Sequence, residues 1–352
     1  MDRDRIVVGV DTHTATHCAA SLDGAGRLLG VAQFTANASG YRRLVCWART
    51  FGQVCAVGVE GTGAYGAGLA RYLIEHEVRV LEVPRPDRRP RRARGKSDPV
   101  DAEAAARAVL SGLATSPPKI ATGPIEAIRA LRVARIGALT AKTAATNTLR
   151  SMIVTAPEVL RAQLPVGRLP NKIIDACLAL RPNHGVLSDP VQATKLALRS
   201  IARRAHDLRE EIRQLDRQLA QLLALAAPRT SRVFAMGLDT TSALLVAIGD
   251  NLERLRSEAA FARMCGVAPI PASSGKTIRH RLHRGGNRQA NRALHIGVIV
   301  RMRYCPRTQA YVARRTAEGL TKPEIIRCLK RYLAREIFQT LRADYQRLAY
   351  AP

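Results

Sequence analysis

Four carboxylates in this chain are spaced as the halves of a divided metal site: Asp11, Glu60, Asp98 and Asp101. Asp11 closes the apolar run Ile6-Val7-Val8-Gly9-Val10, and Glu60 closes a second, Val54-Cys55-Ala56-Val57-Gly58-Val59. Asp98 and Asp101 stand three apart at the start of an alanine-rich stretch, so a helix there presents both from one face. Carboxylate oxygens are what hard divalent cations such as Mg²⁺ or Mn²⁺ bind. Two such cations flanking a phosphodiester make a nuclease or phosphoryl-transfer centre. Each acid also has a plainer role, Asp11 as a turn former and Asp98 with Asp101 as cap and first-turn acids of a helix. Their joint placement at the ends of the right elements is what points to metal.

A second candidate lies far along the chain, in Ser273-Ser274-Gly275-Lys276-Thr277. A serine hydroxyl attacks phosphorus only when it is positioned and helped by positive charge or metal. Lys276, Arg279, Arg281, Arg284, Arg288 and Arg292 all follow it. The same string resembles the tail of a P-loop, but that motif needs a glycine where Ile270 stands, which excludes a Walker site. Gly61-Thr62-Gly63-Ala64-Tyr65-Gly66 matches GxGxxG, with Glu82 downstream as a dinucleotide site requires. Its strand is the fourth of the domain, and Glu60 would set a carboxylate against a pyrophosphate. Small residues that let a helix pack beside Glu60 explain these glycines better. His13 and His17 would share a face on an extended segment and read as structural, since hard-metal sites do not need imidazole. His280 and His283, amid arginines, read as phosphate-facing.

The elements that must position these groups are legible. Strands are expected at 5–11, 17–23 and 28–35 with a turn at Asp23-Gly24, then a helix at 40–51, a strand at 54–60, a helix at 64–76 and a strand at 78–83. Residues 84–96 carry seven positive charges among prolines, and Arg88, Arg89, Arg91, Arg92, Arg94 and Lys96 are placed to grip a backbone phosphate. A helix is expected over 125–153, irregular chain over 154–192, and a long helix over 191–224. In the last, Leu198, Ile201, Ala205, Leu208, Ile212, Leu215, Leu219 and Leu222 form a heptad seam. That seam has two available partners, the helix at 125–153 or another subunit. From 232 to 345 the chain reads as helical, broken at 266–286, and Gly237-Leu238-Asp239-Thr240 could join a helix-hairpin-helix.

Composition narrows the partners. The 352 residues suffice for two ordinary domains, and a formal charge of +28 calls for a polyanion. Of 56 basic residues 48 are arginine, suited to bidentate phosphate and guanine contacts. Aromatics are only 4%, so stacking platforms do not dominate recognition. Seven scattered cysteines without a CxxC pair argue against a zinc ribbon or disulfide framework and indicate a reducing cytosol. No signal peptide or bilayer-length apolar run is read, so no membrane is expected.

The order strand-Asp, two strands, helix, strand-Glu, helix, strand, helix-DxxD resembles a RuvC-type member of the RNase H-like α/β fold. Gly9-Val10-Asp11-Thr12-His13, Val59-Glu60-Gly61-Thr62-Gly63 and Lys96-Ser97-Asp98-Pro99-Val100-Asp101-Ala102 resemble the acid motifs of the DEDD transposases of the insertion-sequence 110 family. Gly266-Val267-Ala268-Pro269 with Ser273-Ser274-Gly275-Lys276-Thr277-Ile278-Arg279, then Arg284-Gly285-Gly286-Asn287, resemble that family's C-terminal serine motif and its continuation. The resemblance covers about 5–112 and 232–340, and the middle in architecture only. It implies a RuvC-like catalytic domain at 1–115, a helical coiled-coil and oligomerisation region at 116–230, and a mainly α transposase domain at 231–352. It further implies Asp11, Glu60, Asp98 and Asp101 as ligands of Mg²⁺ or Mn²⁺, and Ser274 as a nucleophile giving a phosphoserine link to DNA, with Ser273 its competitor. Lys276, Arg279, Arg281 and Arg284 would then hold nucleic acid. The implied partners are donor and target DNA, an element-encoded guide (bridge) RNA, and further copies of the chain as a dimer or tetramer. The implied setting is the bacterial cytoplasm, at the nucleoid. A RuvC-like endonuclease using water, a non-catalytic nucleic-acid scaffold and a dehydrogenase are the competing readings.

Overall fold

The computed structural model describes residues 5–83, 97–119, 123–165, 170–250, 257–275, 280–283 and 285–349. The expected phosphate-gripping residues Arg88, Arg89, Arg91, Arg92, Arg94 and Lys96, and likewise Lys276, Arg279 and Arg284, lie outside the described residues.

Two compact units emerge, one formed by residues up to Ile125 with Ala247–Met264, the other by Glu126–Val246 with residues from Cys265 onward. The first begins with an antiparallel meander, β1 (Arg5–Thr12), β2 (Thr16–Asp23) and β3 (Leu28–Thr35). Asp23 makes its turn, accepting from the amides of Ala25 and Arg27 through Oδ1. Then come α1 (Ala38–Arg49), β4 (Gln53–Glu60), α2 (Ala67–Glu75), β5 (Val80–Val83) and α3 (Asp98–Leu110). Asn37 starts α1 by accepting from the Gly40 amide. The sheet order is β3-β2-β1-β4-β5, with β4 parallel to both β1 and β5.

Alternation along the strands gives the sheet two unlike faces. Ile6, Val8, Val10, Val57 and Val59 pack with Leu44, Leu69 and Leu73 of α1 and α2. The opposite face is covered by α3, and small residues line it where α3 crosses β1 and β4. A side chain on Gly9 would fall 2.1 Å from the Ala106 nitrogen and 2.2 Å from the Ala102 oxygen. One on Gly58 would meet Val109 at 2.5 Å. The backbone of α3 therefore lies almost directly on β1 and β4.

In the second unit α4 (Gly123–Val154), whose first residues belong to the other unit, is followed by α5 (Glu158–Arg161), α6 (Pro170–Ala179) and α7 (Pro190–Ala226). The stretch expected to be irregular thus holds a helix. Ile173, Ile174 and Cys177 recur at helical spacing and are buried with Leu198, Ala202 and Ala205 of α7. The early part of α7 shares that core with Ala145, Leu149 and Ile153 of α4, whereas Arg135 pairs with Asp216. The two long helices are therefore antiparallel, and the seam meets its own chain. Leu198, Ala205, Ile212 and Leu219 are buried, but Ile201, Leu208, Leu215 and Leu222 are only half-buried. Then follow α8 (Leu238–Ile248), which continues into the first unit, α9 (Glu258–Met264) within that unit, β6 (Ile270–Pro271), β7 (His280–Arg281), α10 (Arg288–Tyr304), α11 (Pro306–Ala317) and α12 (Lys322–Ala349). No described helix is long and apolar enough to cross a membrane.

Candidate active site

β1 and β4 are parallel with Val10 opposite Val59, which sets Asp11 and Glu60 side by side at the strand ends. Both follow the parity of Gly9 and Gly58 and so belong to the face that α3 covers. The threonine after Asp11 fastens the two ends, since Thr12 Oγ1 donates to the Glu60 carbonyl at 2.9 Å. The first turn of α3 brings Asp98 and Asp101 to the same edge. Asp101 is 3% exposed and Asp11 8%. Glu60 Oε2 is shielded from solvent.

His13 lies between two of these acids. Its Nε2 is 3.2 Å from Asp11 Oδ2 and 3.3 Å from Asp98 Oδ1, and one ligand atom from each of the three residues falls within 4.8 Å of the others. Burial pushes the Asp11 carboxyl above the ordinary range; His13 opposes this, and the charges of Asp101 and then Asp98 add to it. Cys18, opposite Asp11 on β2, is pushed up to about 11, first by burial and then by Asp98 and Asp11. A half-buried knot of like charge beside one imidazole is what a divalent cation relieves, and the oxygen-rich donor set suits Mg²⁺ or Mn²⁺. His13 adds a nitrogen donor that the sequence reading set aside. Its i, i+2 relation to Asp11 was the available signal, because that spacing keeps one face of an extended chain.

His17 does not share that face. It is fully buried, stacked on Tyr41 at 5.7 Å, and burial lowers its basicity. It belongs to the α1 and α2 side because it pairs with Thr12, one residue out of phase with Asp11. Two of the three glycines of 61–66 have structural reasons. Gly61 takes φ +67, and a side chain on Gly66 would lie 2.8 Å from the Glu60 carbonyl oxygen. Gly63 faces open space.

The serine candidate belongs to the second unit, whereas the acids belong to the first. Residues 270–281 are not a plain loop: β6 and β7 pair, Ile270 with Arg281 and Pro271 with His280. Ser273 and Ser274 follow β6 and are exposed, as is Arg281 across the hairpin, and Gly275 turns the chain with φ +55. His280 is exposed, and His283 is half-buried with its Nδ1 shielded from solvent. At 237–240 a single 3-10 turn, Thr230–Arg232, precedes α8, so the helix-hairpin-helix is not formed. Asp239 there is held by buried Arg132 at 2.6 Å, which also donates to Ser242 and Gln289.

Two transposase family models match this chain. A DEDD-type model of IS110 elements, described as "Transposase", matches residues 8–156, and one described as "Transposase IS116/IS110/IS902 family" matches residues 227–313. A curated relative, the "Insertion element IS110 uncharacterized 43.6 kDa protein" of Streptomyces coelicolor, is 29% identical over 189 residues. That alignment spans 53% of this chain and 46% of the relative.

Proposed function

The chain belongs to the IS110 family of transposases, and on that premise we propose that it cuts and rejoins the DNA of an insertion sequence, guided by an element-encoded RNA, through a phosphoserine intermediate. The observation that carries this reading is the convergence of Asp11, Asp98 and His13 within 4.8 Å, with Asp101 close enough to perturb Asp11. Asp11, Glu60, Asp98 and Asp101, with His13, would hold the divalent cation, which when bound supplies Lewis-acid stabilisation of charge developing on a phosphodiester. The sheet order and the seating of α3 over the acid ends support the RNase H-like, RuvC-type reading of 1–115. The antiparallel α4 and α7 support the coiled-coil reading of 116–230, with 231–352 as the serine domain. Val133, Ile136 and Leu139 stand exposed on α4 and support self-association through that region.

In the proposed chemistry the Ser274 oxygen bonds to phosphorus as one P–O ester bond of the DNA breaks. The serine proton passes to water, and the departing deoxyribose oxygen takes one up. Attack by a second DNA hydroxyl reverses the step and restores the serine, so no energy donor is consumed. The exposed hairpin position leaves Ser274 accessible to a backbone, and Arg281, opposite Ile270, adds positive charge to the same hairpin. The excess of +28 supports a partner set of two DNA duplexes and RNA, and with it a place at the bacterial nucleoid.

The test uses the protein co-expressed with its flanking DNA and supplied with Mg²⁺ or Mn²⁺. After denaturation, wild type should carry a covalent DNA adduct that Ser274→Ala lacks and Ser273→Ala retains. Free cut ends from both Ser274→Ala and wild type, with no adduct, would replace this reading with a RuvC-like endonuclease that uses water.

A further inference from the structure

Among the described residues, the ladder at the base of the hairpin that carries Ser274 joins Ile270 with Arg281 and Pro271 with His280. A two-stranded ribbon of that size does not hold its own shape in water. Its aim must be set from outside, and the base of the hairpin shows how. Gly266 enters with φ +65, and a side chain there would lie 2.6 Å from the Gly285 carbonyl oxygen, so the two arms touch backbone to backbone. From α10, Asn291 donates through Nδ2 to the carbonyls of Cys265 at 2.9 Å and Gly266 at 3.0 Å. From α12, Lys330 donates to Asn291 Oδ1 at 3.1 Å. An ammonium has only donors, so Lys330 fixes which end of the amide faces it and turns Nδ2 onto the two carbonyls. Cys265 is fully buried and Lys330 is 8% exposed, so water does not compete freely for these bonds.

We propose that Asn291, oriented by Lys330, is the positioning residue that aims the Ser274 hairpin at DNA. The inference rests on Ser274 being the nucleophile. The amide touches neither serine nor substrate; it fixes the backbone of Cys265 and Gly266, from which the first arm of the hairpin departs. Misplacement of a reacting atom by about 1 Å is enough to slow a reaction on the order of a hundredfold.

The experiment compares wild type, Asn291→Leu, Lys330→Met and Lys330→Arg, each full length and co-expressed with the flanking DNA. Three quantities are read: the initial rate of adduct formation, the affinity for that DNA, and amide hydrogen exchange along the chain. For Asn291→Leu the adduct rate should fall about 10- to 100-fold while DNA affinity stays within about twofold. Exchange should rise over 265–275 while α10 and α12 stay protected. Lys330→Met should lose rate in the same sense, and Lys330→Arg, which keeps a donor, should recover it. Should Asn291→Leu fail to fold, the contrast between methionine and arginine at 330 decides alone. Adduct formation at the wild-type rate in Asn291→Leu or in Lys330→Met overturns the inference and leaves the serine chemistry standing. Absence of any adduct in wild type overturns the serine chemistry, and the positioning role falls with it.

Discussion

Asp11→Asn should make the protein more stable without metal and less stable with it. Ligand atoms of Asp11 and Asp98 lie no more than 4.8 Å apart. Two like charges at that distance repel by about 1 kcal/mol in a water-like medium and about 3 kcal/mol at an effective dielectric of 20. The Asp98 side chain is 46% exposed, which places the pair toward the lower figure. The neutral amide of the variant escapes that repulsion and the push from Asp101, which is the larger of the two, and gives up part of the contact with His13. A net gain of about 1 kcal/mol in EDTA follows. In wild type, a cation at a hundred times its Kd adds about 2.7 kcal/mol, which the variant forgoes by losing a central carboxylate. The two melting curves should therefore exchange order between EDTA and saturating Mn²⁺ or Mg²⁺, as followed by thermal or urea unfolding. Asp11→Asn melting below wild type in EDTA, or keeping the full metal-induced shift, would refute the reading of this cluster as a cation site.

The remaining expectations concern the frame around the site and its pH response. Gly9→Ala sets a methyl group 2.1 Å from the backbone of α3, so it should destabilise by about 3 kcal/mol or more in urea unfolding and weaken metal binding without touching a ligand. Asp239→Ala should cost about 3–5 kcal/mol because it strands the Arg132 guanidinium, whose side chain is 6% exposed. Arg132→Met should cost less, since Asp239 is 40% exposed and water can take it back; equal losses would dismiss this account of the pair. Burial and its acidic neighbours hold the Asp11 carboxyl above its ordinary range, so the metal-free protein gains from protonating it at low pH and loses that contribution as pH rises through the raised value. Protons and cation compete for the same oxygens, so the metal-induced shift in melting should be full above the raised value. Its loss on acidification should begin at a higher pH than for an ordinary aspartate, which a pH series of melts with and without Mn²⁺ reads directly.

The N-terminal elements were legible because each carries a strong local signal. Alternation and apolar runs marked the strands to within a residue or two, and Asp23 and Asn37 sit at turns and caps for reasons of their own side chains. The short α6 went unread because proline-rich flanks masked Ile173, Ile174 and Cys177, whose burial depends on α7, a partner distant in sequence. The seam on α7 was readable as a period but not as a partner, since a heptad states which face is apolar and not what covers it. Within this chain α4 lies along α7, as the pairing of Arg135 with Asp216 shows, and no local pattern announces that. The hairpin at Ser274 escaped for a similar reason. Its strands are two residues long, and its anchor, Asn291 with Lys330, comes from two helices beyond it.

The acids were legible and His13 was not, and the difference follows from how the site is built. Asp11 and Glu60 are marked by the runs they terminate, and Asp98 with Asp101 by the helix they start; each signal is complete within a few residues. His13 gains its meaning only when α3 comes close enough for Asp98 to reach it. That approach is set by residues with no chemistry of their own. Gly9 and Gly58 on the sheet, facing Ala102, Ala105 and Ala106 on the helix, remove the side chains that would otherwise keep the layers apart. On the other face leucines and valines fill the gap between sheet and helices. Close packing of small residues thus creates a half-buried concentration of negative charge that costs stability in the metal-free protein. The cation proposed for this site is what would offset that cost.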